Sequence, residues 1–213
     1  YLDDFSSEVN YLLFPSLLVD YSMVDEGPYE YEDVKLTEGD VVIDCGANIG
    51  MFSTYAAYKK CKVYSFEPVK ENLKMLEANA SLYKPLININ AYCLSDVCGQ
   101  VTMKLNSVLY GGNSFMLQAP HHETVTVETT TIDTFVQENN IPKIDFIKVD
   151  IEGAERLMLK GAKKTLQTLK PKLAICTYHF KDDPMVLEAI IKEANPNYIV
   201  NHRWKKLYAY VLN

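Results

Sequence analysis

The sequence predicts an α/β domain built on a doubly wound, mostly parallel sheet, and three observations carry that prediction. The first is the stretch Val41-Val42-Ile43-Asp44-Cys45-Gly46-Ala47-Asn48-Ile49-Gly50. Its continuous apolar run reads as a buried parallel strand, and it turns through two glycines into helical spacing at Ile49, Phe52 and Ala56. The second is repetition: further apolar runs end in acidic or polar residues and are followed by helical patterns, which is the signature of βα units. The third lies at the end of the chain, where two apolar stretches, 197–201 and 207–212, are joined so briefly that they must pair antiparallel. At 213 residues, 48% hydrophobic and 23% charged, the chain is long and apolar enough for one domain with a substantial core.

Taken in order, residues 1–36 have a mixed pattern and are assigned as an N-terminal cap segment, with Leu12, Leu13, Leu17 and Leu18 on one helical face. The main domain is assigned to 37–213. It opens with the turn Thr37-Glu38-Gly39-Asp40. Strand one is 41–45, with a helix over about 49–58; strand two is 62–66, ending at Glu67-Pro68. Proline there suits the first turn of a helix, whose apolar residues Val69, Leu73, Leu76 and Ala80 share a face. Strand three is expected over 87–94, ending at Ser95-Asp96. The pattern then alternates over 100–105 and 124–130, which predicts a β-hairpin inserted at about 99–131. Its long tip contains Gly111-Gly112-Asn113-Ser114 and is a candidate cover for a site. A short helix follows over 132–138. Strand four is 144–149, ending in Asp150-Ile151-Glu152-Gly153-Ala154-Glu155, and the helix after it is divided at Gly161. Strand five is 172–177, ending at Tyr178-His179. Asp182-Asp183-Pro184 then opens another helix.

Composition narrows the function. A net charge of −7 argues against a broad nucleic-acid footprint. The basic run Arg203-Trp204-Lys205-Lys206 reads as a solvated turn. Five cysteines, none in a CxxC pair, point to reduced structural thiols and a cytoplasmic setting. No signal peptide is visible, and the apolar stretch 11–19 is too short to span a bilayer, so no membrane partner is expected. Asn79-Ala80-Ser81 fits a glycosylation sequon but falls inside a predicted helix. No Cys/His cluster has zinc-ligand spacing. His121-His122 is read as a solvated loop and His202 as structural.

The glycine turn is the candidate ligand site. The dinucleotide fingerprint is G-x-G-x-x-G; here Asn48 occupies the place of the middle glycine, which otherwise lets backbone approach a pyrophosphate. Asp44, just before the turn, brings a carboxylate that suits a cation better than a diphosphate. Glu67, at the end of strand two, is placed to accept from both ribose hydroxyls. Ser95 and Asp96 are placed for an adenine edge, and Asp150 closes strand four on the same rim. A cationic nucleoside, S-adenosyl-L-methionine, fits these features. The cofactor residues assigned are Asp44, Gly46, Asn48, Gly50, Glu67, Pro68, Ser95 and Asp96.

Taken together, Gly39 to Gly50, Phe66-Glu67-Pro68, Leu94-Ser95-Asp96, Thr131-Ile132-Asp133 and Ile147 to Glu155, with Gly112-Asn113-Ser114 in the loop, resemble the motifs of the FkbM-type methyltransferases, a branch of the class I S-adenosylmethionine-dependent methyltransferases. The resemblance covers about residues 29–180. It implies a seven-stranded Rossmann-like methyltransferase sheet with an antiparallel terminal strand, and O-methylation of a hydroxyl on a sugar or secondary metabolite. Methyl transfer from a sulfonium gains from positioning of the acceptor and from a base that takes its proton. His179, Asp150 and Glu152 are the catalytic candidates, with His179 as the base. Glu155 is read as a helix-surface or first-turn residue. Tyr29 and Glu30 are candidates to close over the cofactor. A divalent ion on Asp150 and His179, as in catechol-type O-methyltransferases, would need further oxygen ligands that the sequence does not identify, so no metal is assigned. The expected partner is a small hydroxylated acceptor, and a homo-oligomer stays open. An NAD-dependent oxidoreductase and a non-catalytic adenosylmethionine-binding module are the alternatives.

Overall fold

A computed structural model describes residues 26–106 and 122–212. The strand of the glycine-turn motif, β1 (Val41–Cys45), sits in the middle of a seven-stranded sheet. On one side the chain adds β2 (Lys62–Phe66) and β3 (Ile87–Asn90), reached through helices α1 (Met51–Tyr58) and α2 (Lys70–Ala80). It then crosses to the other side of β1 for β7 (Phe146–Val149) and β8 (Lys172–Cys176), all in parallel. The winding therefore reverses between β1 and β7. In an open α/β sheet that reversal opens a crevice at the carboxyl ends of the strands. The terminal strands β9 (Ile199–Arg203) and β10 (Lys206–Tyr210) form the expected antiparallel pair, and β10 is also antiparallel to β8. The order β3-β2-β1-β7-β8-β10-β9 is the predicted doubly wound, Rossmann-like sheet with one antiparallel strand.

Alternation along each strand sends side chains to opposite faces, and the core divides accordingly. On one face Ile43, Ile147, Leu173 and Leu207 pack with Ile132, Met158, Leu166 and Leu187. These last four come from α3 (Ile132–Glu138), α4 (Glu155–Lys160), α5 (Lys163–Thr168) and α6 (Asp183–Ala194). On the other face Val42, Val63 and Phe146 pack with Phe52 and Ala56 of α1, and with Val34 and Leu36. Residues 26–36 thus contribute to the domain's own core instead of standing outside it. The boundary expected at 36/37 separates nothing in this packing, and the rest of the predicted cap, 1–25, lies outside the described residues.

Strand three differs from expectation. Instead of one strand over 87–94, β3 ends at Asn90 and a separate short strand, β4 (Cys93–Leu94), joins a second sheet. There β4 runs parallel to β6 (His122–Thr130), which pairs antiparallel with β5 (Gly99–Asn106). The alternation Ile87-Asn88-Ile89-Asn90 gives way at the break to the apolar run Ala91-Tyr92-Cys93-Leu94, a change that is compatible with one continuing strand as well as with a change of sheet. The predicted hairpin is present, and β4 makes it three-stranded. Its tip, with Gly111, Gly112, Asn113, Ser114 and His121, lies outside the described residues. The glycine-divided helix is also as expected, with α4 and α5 meeting at Gly161.

Candidate active site

At the sheet's switch point lies a cavity of about 290 Å³, bounded by the turn after β1, the start of α2, the β3–β4 connection and the loop after β7. Gly46, Asn48, Glu67, Pro68, Asp150 and Glu152 all line it, as do Tyr29, Tyr92 and Met103. Tyr92 stands in the short link between the two sheets and Met103 comes from the inserted hairpin. Both sheets therefore build one pocket.

The glycines of the turn serve packing. Gly46 has φ 76°, and a Cβ there would stand 1.9 Å from the Asp150 carbonyl oxygen. Gly50 has φ 94°, and its Cβ would stand 2.6 Å from Leu76 of α2. Gly50 does not line the cavity. The loop after β7 presses against the turn at Gly46 and the second helix at Gly50. Asn48 takes a left-handed conformation, φ 50°, which asparagine tolerates better than most residues. Asn79, the sequon residue, is buried and donates from Nδ2 to the Ile49 carbonyl at 2.7 Å, which fastens the turn to α2.

Glu67 lines the cavity and is held by three donors. Its Oε2 accepts the Asn48 N–H at 2.9 Å, while Oε1 accepts from Val69 N–H at 2.9 Å and Asn72 Nδ2 at 3.2 Å. A carboxylate oxygen accepts two bonds readily, so Oε2 retains acceptor capacity toward the cavity. Burial raises the Glu67 pKa above the ordinary glutamate value of 4.5, against the lowering effect of these three donors. Asn48 Oδ1 is buried with no protein donor, a second acceptor available to a ligand of this pocket.

Asp44 is elsewhere. It is fully buried beneath the turn and does not line the cavity. Ser53 Oγ donates to its Oδ2 at 2.6 Å, and Lys148 Nζ lies 3.1 Å from its Oδ1. The register explains the contact: Ser65, Asp44 and Lys148 stand side by side on β2, β1 and β7. Lys148 Nζ also donates to the Gly46 carbonyl at 2.7 Å. Burial works against its charge, but Asp44 and then Asp150 outweigh that effect and raise its pKa. Asp44 is thus a structural counter-ion, and Lys148, a lining residue that the sequence reading passed over, is the cation at the cavity floor. The signal was available as a lone lysine inside an apolar strand. Ser95 is buried but outside the lining, and Asp96 is exposed, with Ser95 Oγ donating to it at 3.2 Å.

On the opposite rim, Asp150 is gripped by two tyrosines. Tyr29 Oη donates to its Oδ2 at 2.9 Å and Tyr178 Oη to its Oδ1 at 3.1 Å. Burial and the Asp150 charge raise the pKa of both phenols. Tyr29 comes from the segment before β1, and two ammonium groups approach its ring, Lys206 at 4.5 Å and Lys148 at 5.4 Å from the centroid. Lys206, expected in a solvated turn, is buried and donates to the Glu26 and Gly27 carbonyls. Glu30 turns away from the cavity to Lys59 and Tyr55.

His179 is close to Asp150 but behind the wall, outside the cavity lining. Its side chain is 3% exposed; Nδ1 lies 3.2 Å from Glu155 Oε1 and Nε2 lies 3.4 Å from Glu152 Oε2. Burial lowers the imidazole pKa, but Glu152 and Glu155 overcome this and push it up to about 10. The carboxylates thus favour the protonated form of the imidazole, which has no lone pair left to accept a proton. Glu155, expected on the helix surface, is completely buried, accepts the Ile151 N–H at 3.0 Å and faces this histidine. His202 pairs with Glu188 at 2.8 Å, far from the site in the last hairpin.

Residues 44–198 match the family model described as the methyltransferase FkbM domain. The chain belongs to the FkbM methyltransferase family. Among curated relatives, this FkbM-family chain is 27% identical over 157 residues to the hexuronic acid methyltransferase AglP of Haloferax volcanii, covering 74% of the chain and 63% of the relative. It is 26% identical over 164 residues to the 31-O-demethyl-FK506 methyltransferase FkbM of Streptomyces tacrolimicus, covering 62% and 63%. The chain thus spans less than two thirds of the length of both relatives. Among solved structures, the FkbM methyltransferase of Methylobacillus flagellatus superposes with a TM-score of 0.64 at 24% identity, over 90% of this chain and 50% of that one. That likeness is one of fold. The buried Asp44–Lys148 pair and the Glu67 acceptor both fall within the family-matched residues.

Proposed function

We propose that this FkbM-family chain is an S-adenosyl-L-methionine-dependent O-methyltransferase acting on a hydroxyl of a sugar or secondary metabolite. The observation that carries the reading is Glu67, an acceptor anchored by backbone N–H groups at the end of β2, with capacity left on the oxygen that faces the glycine turn. A ribose diol offers two donors to such a group. Asn48 Oδ1 and the aromatic edge of Tyr92 extend the same wall. Asn48 replaces the middle glycine that would open the turn to a pyrophosphate, which disfavours a dinucleotide. The names of the two curated relatives, a hexuronic acid methyltransferase and a 31-O-demethyl-FK506 methyltransferase, support a small oxygen acceptor.

Bound adenosylmethionine supplies an electrophilic methyl group. The chain's own part is to hold the acceptor oxygen in line with it and to take the hydroxyl proton. Asp150 reaches the cavity, and Tyr29 and Tyr178 fix its orientation; we assign it proton acceptance. His179 and Glu155 support the loop that carries it. Glu152 forms the rim beside it. Incubation of the purified protein with adenosylmethionine and a panel of hydroxylated acceptors, hexuronic acids among them, tests the reading. Mass spectrometry should show a product heavier by a methyl group on oxygen, with adenosylhomocysteine formed in equal amount. Donor binding without a methylated product from any acceptor would favour a non-catalytic module.

A further inference from the structure

Three carboxylates, Asp150, Glu152 and Glu155, converge on one buried imidazole, His179, around the loop between β7 and α4. The neighbouring lysine, Lys148, is itself paired with Asp44, and Glu155 is fully buried, where an unsatisfied carboxylate oxygen is costly. Two further features point to a missing cation. Neither nitrogen of His179 makes a well-aligned hydrogen bond, although the side chain is 3% exposed. Glu155 Oε2 is buried with no donor among the described residues, and Glu155 is 0% exposed. One ligand atom from each of Asp150, Glu155 and His179 lies within 4.8 Å of the other two.

We propose that Asp150, Glu155 and His179 form a divalent transition-metal site, with Glu152 as the neighbouring carboxylate. A mixed set of carboxylate oxygen and imidazole nitrogen suits Mn²⁺ or Zn²⁺ better than an ion that takes oxygen alone. The ion displaces the imidazole proton, satisfies Glu155 Oε2 and neutralises the carboxylates together. Asp150 belongs both to this cluster and to the cavity wall, so the ion sits behind the rim and fixes the position of that carboxylate. The three ligands include neither Glu67 nor a residue of the glycine turn, so metal uptake is measured independently of methyl-donor binding.

Equilibrium dialysis of the metal-stripped full chain against Mn²⁺ and, separately, Zn²⁺, with elemental analysis of the protein, tests it. The expected result is stoichiometric uptake, with His179→Gln and Glu155→Gln each weakening affinity by at least about tenfold. The exposed-surface control Glu193→Gln should leave it unchanged. Circular dichroism confirms that each variant is folded. Glu152→Gln, at a partly exposed position, is the milder variant if either of the first two fails to fold, and it should weaken uptake as well. Absence of stoichiometric uptake by the folded parent, or uptake equal in parent and variants, would overturn the site. Adenosylmethionine binding measured calorimetrically on the same metal-free protein reports on the donor site separately.

Discussion

Asp44 and Lys148 face each other across neighbouring parallel strands, with Lys148 Nζ 3.1 Å from Asp44 Oδ1 and both side chains buried. The acid that the motif presents as a cofactor contact is neutralised from below by a lysine of the next strand. Removing one partner of such a pair strands the other as an uncompensated charge, at a cost of about 3–5 kcal/mol. Lys148→Met should therefore lose about that much stability in urea unfolding. Adding Asp44→Asn to it should restore a large part. A loss under about 1 kcal/mol for the single variant, the range of an exposed pair, would show that the contact carries no structural weight.

Gly46→Ala should be far more disruptive than its size suggests. The turn is left-handed there, and the new Cβ would overlap the Asp150 carbonyl oxygen at 1.9 Å. Backbone cannot swing aside as a side chain can, so a loss upwards of about 3 kcal/mol is expected, read as a fall in melting temperature or as failure to fold. On the sequence alone, a bulky residue at this position should abolish ligand binding in an intact domain; the close approach of the β7 loop reassigns the effect to folding. A normally stable Gly46→Ala protein would contradict the packing described for the turn.

The burial that raises the Glu67 pKa has consequences for pH. The folded pKa lies above the ordinary 4.5, so ionising Glu67 costs stability as pH rises through the window between the unfolded and folded values, and the full cost persists above it. Cofactor binding runs the other way, since the ribose needs the ionised acceptor. Adenosylmethionine affinity should therefore fall as pH is lowered, starting at a pH higher than a surface glutamate would give. Calorimetric titrations across the acid range measure this. In Glu67→Gln the acid-side fall should be absent.

The sheet was legible from residues 41–66 and 144–177 because fully buried parallel strands are continuous apolar runs, and those runs ended where the strands end. The break between β3 and β4 was not, since the apolar run Ala91-Tyr92-Cys93-Leu94 reads as strand whichever sheet it joins. Glu67 and Asp150, expected on the rim from their position at strand ends, both line the cavity. Asp44 was misplaced because an acidic residue at a strand end points to the ligand or into the domain depending on strand register, and only the pairing of β1 with β7 brings Lys148 under it. His179 and Glu155 were misjudged for a similar reason. One follows β8 and the other opens α4, and nothing in their spacing announces that they meet.

The role of Glu67 as ribose acceptor of a methyl-donor site is tested most directly by titration calorimetry of the parent and Glu67→Gln with adenosylmethionine and with NAD. Glutamine keeps the side-chain length and one acceptor oxygen but removes the charge. The parent should bind adenosylmethionine and not NAD. The variant should bind adenosylmethionine about ten- to a hundredfold more weakly, the value of a charged acceptor's hydrogen bonds. Unchanged affinity in Glu67→Gln, or NAD bound in place of adenosylmethionine, would contradict it.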